Sequence, residues 1–161
     1  MSENPPRLLV DRTAGRLARW LRILGLDVEY VATCDPSVLA REARQSGRRV
    51  LTRSRVLAER LGGGALLLAD DDLAAQVRQV VGEIGPAECD AFSRCNLCNA
   101  KLAEVPRESV EGRVPAYVFE NHDRFAACPV CGRYFWQGTH WRHMLGEIES
   151  ILREKPQGET R

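Results

Sequence analysis

Apolar and polar positions follow two rhythms along this chain, and the rhythm changes once. Leu8-Leu9-Val10, within Arg7 to Asp11, reads as a short buried strand that ends in an acid. Arg12 to Gly25 carries Leu17, Trp20, Leu21 and Leu24 at helical spacing and stops at a glycine. Asp27 to Ala32 alternates as a strand does, with Val28, Tyr30 and Ala32 on one side. Asp35-Pro36 opens a second helix, with the aspartate as N-cap and the proline at the first helical position, and Gly47 closes it. Arg49 to Thr52 is a third strand, and Ser54 caps a short helix through Leu61. Gly62 to Gly64 turn the chain into a fourth strand, Ala65 to Ala69. Asp70-Asp71-Asp72 then precede a helix to about Ile84, with Leu73, Val77, Val80 and Val81 inward.

This βαβαβαβα order predicts an α/β domain over residues 1–86, with parallel strands, right-handed crossovers and helices on both faces in three αβα layers. Gly85-Pro86 begins a linker. From about Ser93 the pattern becomes short, turn-rich and cysteine-bearing, which sets off a small second module over 92–155. A last helix is expected from Thr139 to Lys155, and the tail Pro156 to Arg161 is expected to fray.

The length of 161 residues suits one domain plus a small module, and 44% hydrophobic residues supply a core. The first residues lack the basic-then-apolar pattern of an export signal, and no apolar run approaches a membrane span. Six cysteines without an export signal point to reduced thiols, a metal and the cytoplasm. The formal net charge of +1 excludes a polycation, so nucleic-acid binding would rest on a local patch.

Cys95-Asn96-Leu97-Cys98 and Cys128-Pro129-Val130-Cys131 are two knuckles, and each can aim two thiolates at one ion. Together they make a tetrahedral sulfur site for Zn²⁺, with Gly132 permitting the turn after the second. The roughly thirty residues between the knuckles exceed the usual four-cysteine spacing and leave room for a pair of short strands, as in a zinc ribbon. Two disulfides or a redox pair are the competing readings. Cys34 and Cys89 fall outside the knuckles and read as core or free thiols.

Ligands of an open α/β sheet bind beyond the carboxyl ends of its strands. Those ends carry Asp11, Asp35, Ser54 and Asp70, Asp71 and Asp72. Converging carboxylates need a cation, and hard oxygens suit Mg²⁺ or Mn²⁺, which can activate water against a phosphodiester. Asp35, and Asp71 or Asp72, are also explained as helix caps. Arg12, Arg16 and Arg19, with Arg22 adjoining, form a basic stripe beside Asp11. A solvated helix face gives the same pattern, but an arginine row can also track a nucleic-acid backbone. Tyr117, Phe119, Phe125, Tyr134, Phe135, Trp136 and Trp141 fill a small core or, where exposed, stack on bases. His140 and His143 stand three apart and could pair on a metal, a role that four cysteines make unnecessary.

Val10-Asp11-Arg12-Thr13-Ala14-Gly15-Arg16-Leu17-Ala18-Arg19-Trp20-Leu21-Arg22 resembles the opening of the Mut7-C RNase domain family. Val50-Leu51-Thr52-Arg53 and Leu68-Ala69-Asp70-Asp71-Asp72 are similar to its later strand ends. Phe92-Ser93-Arg94-Cys95, Arg113-Val114-Pro115 and Phe135-Trp136-Gln137-Gly138-Thr139-His140-Trp141 are similar to its zinc-ribbon half. The resemblance implies a PIN-like nuclease fold, a C-terminal zinc ribbon and RNA as substrate. It implies Asp11, Asp71 and Asp72, with Asp35 as a possible stand-in, as the acids holding Mg²⁺ or Mn²⁺. Arg53, His140 and Trp141 join Arg12, Arg16, Arg19 and Arg22 as RNA-binding candidates, and Cys95, Cys98, Cys128 and Cys131 hold zinc. One position departs: after Leu51-Thr52-Arg53 the family usually carries an aspartate, and here Ser54 removes a charge. Three readings follow: a metal-dependent ribonuclease, a non-cutting binder of structured RNA such as tRNA, or a protein-interaction module.

Overall fold

The computed structural model describes residues 5–153. These divide into two compact units, one ending at Asn99 and the other beginning at Ala100. The end of the last expected helix and the tail from Pro156 lie outside the described residues.

The first unit is a mixed α/β fold. Its strands are β1 (Leu8–Val10), β2 (Val28–Tyr30), β3 (Arg49–Thr52) and β4 (Ala65–Leu67), all parallel, in the order β2-β1-β3-β4. The connecting helices are α1 (Gly15–Ile23), α2 (Pro36–Ser46), α3 (Arg55–Leu61) and α4 (Leu73–Ile84). Leu9 and Val50 are register partners and pack against Leu39 and Ala43 of α2 and Leu57 of α3. Alternation turns their neighbours Leu8, Val10 and Leu51, all fully buried, to the opposite face. There α1 and α4 pack against each other, so the sheet has helices on both sides.

The connections explain that distribution. From β1 the chain steps outward to β2, then crosses back over β1 to β3 and on to β4. Keeping every crossover right-handed puts α2 and α3 on one face and α1 on the other. The direction of winding reverses between β1 and β3, and a crevice opens there beyond their carboxyl ends.

Local chemistry sets the boundaries. The Asp35 side chain accepts hydrogen bonds from Ser37 N and Val38 N, with Pro36 in the first turn of α2. Gly47 ends that helix in the left-handed region at φ 65°. The expected helix from Arg12 begins later, because Asp11 accepts from Thr13 N and draws Arg12–Ala14 into a 3₁₀ turn ahead of α1. Strands β2 and β4 are shorter than their apolar patterns, and Tyr30 is exposed at the end of the edge strand β2.

The second unit has an antiparallel sheet of β5 (Ala103–Val105), β6 (Phe125–Ala127) and β7 (Tyr134–Trp136), in that order. It also has α5 (Ala116–Asn121) and α6 (Thr139–Arg153). β5 and β6 lie between the knuckles, where short strands were expected. Val110, Val118 and Phe125 form its buried core, with Tyr134 and Trp136 packed partly against them.

Candidate functional site

Asp11 stands at the crevice where the sheet reverses. It is 2% exposed and links the ends of both central strands. Oδ1 accepts from Thr13 N (2.9 Å) and from Thr13 Oγ1 (2.5 Å), while Oδ2 accepts from Thr52 Oγ1 at 2.8 Å. Thr52 Oγ1 in turn accepts from Ser54 N at 3.0 Å. A continuous hydrogen-bonded relay therefore runs from β1 to the start of α3. Sequence reasoning missed Thr13 and Thr52; the available signal, for Thr52, was a threonine directly after the apolar pair Val50-Leu51 at a strand end.

Two of the other candidates, Ser54 and Asp72, cap helices. Ser54 Oγ accepts from Leu57 N, and Asp72 Oδ2 accepts from Ala75 N. Asp70 Oδ1 accepts from Asp72 N, and Asp71 forms an exposed ion pair with Arg53. Such a pair contributes only about 0–1 kcal/mol, so a ligand can displace it. Strand order explains how far the acids stand apart. β3 separates β1 from β4, and two strand spacings are roughly 10 Å. Ser54 occupies the middle position. Among the described residues no three carboxylates come together as a metal group. The donor chemistry of Asp11 and Asp70–Asp72 suits a hard cation, and the arrangement is open rather than gathered.

Arg12, Arg16 and Arg19 are exposed, and their guanidiniums have no partner among the described residues. Arg12 sits on the 3₁₀ turn and the other two on α1. Arg22 leaves the stripe. It is 8% exposed, and it donates from Nε to Val28 O at 2.8 Å and from Nη1 to Leu97 O at 2.9 Å and Asn96 O at 3.3 Å. Burial lowers its pKa, against the opposing charges of Cys95, Cys98, Glu29 and Asp27. In this geometry Arg22 is a clamp on the first knuckle and is not available to phosphate.

The four cysteine sulfurs lie within 4.8 Å of one another. Cys98 N donates to Cys95 Sγ (3.4 Å) and Cys131 N to Cys128 Sγ (3.5 Å), bonds that favour thiolates. Four soft donors at this separation fit one Zn²⁺ and need no histidine. Cys34 is exposed, while burial and then Glu88 raise the Cys89 thiol pKa, which keeps it protonated. At the start of α6, His140 and His143 are exposed and Trp141 is half-buried. No helix among the described residues is long and apolar enough to cross a membrane.

Comparison with known proteins bears on this geometry. The Mut7-C RNAse domain family matches residues 6–148. The exonuclease mut-7 homolog of Homo sapiens is 35% identical over 114 residues, which are 65% of this chain and 13% of that protein. No solved structure matches. A match over residues 6–148 takes in both units, the crevice acid and all four cysteines, and the chain belongs to the Mut7-C RNAse domain family.

Proposed function

We propose that this protein is a metal-dependent ribonuclease of PIN-like type with a C-terminal zinc ribbon, acting on RNA phosphodiesters in the cytoplasm. The observation that carries the reading is the position of Asp11. It is a buried carboxylate fixed by two threonines at the crevice where an open α/β sheet binds its ligands. Membership of a family described as an RNase domain supports it.

Asp11 and Asp70–Asp72 are the residues that would hold Mg²⁺ or Mn²⁺. A bound ion of this kind neutralises phosphodiester charge and lowers the pKa of water. Thr13 and Thr52 fix the orientation of the Asp11 carboxylate. Arg12, Arg16 and Arg19 seat the RNA backbone by charge and fork geometry. Arg53 exchanges Asp71 for phosphate, and His140 and Trp141 add contacts from the zinc module.

The second reading is binding without cutting, with a structured RNA such as tRNA as partner. Ser54 favours it, because its hydroxyl is committed to the α3 cap and supplies no charge between β1 and β4.

The discriminating experiment incubates metal-defined protein with total RNA and purified tRNA in Mg²⁺ or Mn²⁺, beside Asp11→Asn. Asparagine keeps an acceptor for Thr13, and the Thr52 hydroxyl can rotate to accept its amide, so the variant folds. Cleavage is expected to fall at least about a hundredfold with affinity retained. Equal cleavage by both proteins defeats the nuclease reading at Asp11. Tight binding by both without cleavage establishes the second reading.

A further inference from the structure

The second unit contains a cleft of about 390 Å³ lined by Arg113, Pro115, Gly132, Arg133, Tyr134 and Trp136. We propose that this cleft binds a nucleotide of single-stranded RNA, its phosphate at Arg113 and Arg133 and its base against Tyr134 and Trp136. The proposal rests on the reading that RNA is the ligand, and it assigns a separate site to residues outside the crevice.

Strand geometry supplies the aromatic wall. Tyr134 and Trp136 are two residues apart on β7 and share one face, and β7 is an edge of its sheet. Both pack partly on the core of Val110, Val118 and Phe125 and keep the rest of their surface for the cleft. They are also held in place. Tyr134 Oη accepts from Arg113 Nη1 at 3.0 Å. A Cβ at Gly138 would stand 3.0 Å from Trp136 Nε1, so glycine there is what lets the indole lie close to the chain. The indole N–H has no partner among the described residues and remains a free donor.

Charge supplies the phosphate side. In the same unit Arg107 pairs with Asp123 and Arg124 with Glu104. Arg113 has the Tyr134 hydroxyl and no acid, and the Arg133 guanidinium has no partner among the described residues. Two unneutralised cations on one cleft favour an anion. The cleft volume falls within the usual range for small-ligand sites, about 300–1,000 Å³. Nothing stands within 4 Å of a Cβ built on Gly132, so the approach beside the second knuckle is open. An acidic peptide would satisfy the arginines and leave the aromatic faces without a planar partner. A nucleotide satisfies both.

The test uses the zinc-loaded full chain and a short, mixed-sequence, fluorescent single-stranded RNA, with affinity measured across a salt series. Arg113→Gln and Arg133→Gln are compared with Arg124→Gln, which lies outside the cleft, and zinc content and melting confirm folding. Each cleft variant should weaken binding roughly fivefold to tenfold and flatten the salt slope by about 0.7, the value for one lost phosphate contact on a single strand. Arg124→Gln should match the parent. Trp136→Phe should lower affinity for the RNA and leave that for a base-free polyphosphate unchanged. Parent-like binding by both cleft variants at every salt overturns the site, whatever happens to cleavage. RNA that is bound through the cleft and never cut upholds the site while the nuclease reading fails. RNA that is cut with no dependence on the cleft does the reverse.

Discussion

The two cysteine knuckles have the same spacing and very different support. The first is braced by its own unit. Arg22 holds the Asn96 and Leu97 carbonyls, and Arg94 donates to Gly25 O (3.1 Å) and Asn99 O (2.8 Å). Asn99 accepts from Val28 N and donates to Asp27 at the edge of the sheet. The segment leading into it runs so close to Gly25 that a Cβ there would stand 2.0 Å from Asp90 O. The second knuckle is held by its own turn, through Cys128 N to Arg133 O and Gly132 N to Cys128 O, with Val130 71% exposed. The first pair of cysteines is organised by the fold of its own unit. The other belongs to a unit whose core cluster among the described residues is small, Val110, Val118 and Phe125, and there a bound ion would supply much of the order.

Removing the metal should break this comparison most visibly. A strong chelator should unfold the second unit, because structural zinc binding is folding free energy, while the α/β unit keeps a cooperative transition. Thermal melting with limited proteolysis checks it: the expected result is early cleavage after Asn99 and a surviving first unit. A single transition unchanged by chelator would show that the second unit needs no ion.

Arg22→Ala attacks the brace directly. It leaves the Val28 and Leu97 carbonyls without their buried charged donor, which should cost about 2–4 kcal/mol. Zinc should also be held roughly tenfold more weakly, the lower end for a lost outer-shell partner. Arg22→Lys should not rescue either property, since one ammonium cannot reproduce the fork between the two carbonyls. Chemical denaturation and competition with a chromophoric chelator measure the two effects. Parent-like values in both would mean the first knuckle is no better supported than the second.

The misplacement of Arg22 shows where the sequence was legible and where it was not. β1, β3 and α2 could be read because each carries one dominant local signal: an apolar triplet, an apolar run before a threonine, an Asp-Pro start with a glycine stop. The four-cysteine group could be read for a similar reason, since two short turns make most of its geometry. Arg22 looked like the end of a basic stripe. Yet it follows Leu21 and stands four residues after Ala18, both buried, so it falls within the apolar arc of α1. A buried arginine there is accounted for by the Val28 carbonyl on the neighbouring strand and by carbonyls of residues more than seventy positions away, and neither shows in the local pattern. The distance between the crevice acids was hidden in the same way. It depends on β3 lying between β1 and β4, and strand order is a tertiary fact.

Acid should narrow the difference between the knuckles by a smaller amount. Burial alone would raise the Asp27 carboxyl pKa, but hydrogen bonds from Arg48 and Asn99 and the charges of Arg48 and Arg94 outweigh it and hold the pKa below its ordinary value. A depressed folded pKa gives stability that is fully present above the unfolded value, about 3.9, and is lost as pH falls through the folded one. The bracing network should therefore persist through neutral and mildly acid pH and weaken below about pH 4, by on the order of 1 kcal/mol. Asp27→Asn should flatten that part of the stability profile. An unaltered profile would remove Asp27 from the brace.

The smallest expected change in stability comes from Ser54→Asp, and it carries the comparison from the cysteine knuckles to the crevice. The knuckles gather their donors, whereas the crevice spreads Asp11 and Asp70–Asp72 to either side of a neutral residue. Aspartate is as good an N-cap as serine, so α3 should keep its start and stability should move by only a few tenths of a kcal/mol. What changes is charge at the middle position between β1 and β4. Mn²⁺ affinity, followed by the electron-spin signal of the free ion, should rise several-fold in the variant, and RNA cleavage should rise with it if Asp11 is the acid that acts. A rise in metal binding with no gain in cleavage would assign the crevice to RNA recognition. No rise in metal binding at all would mean that the acids at these strand ends serve their helices and nothing else.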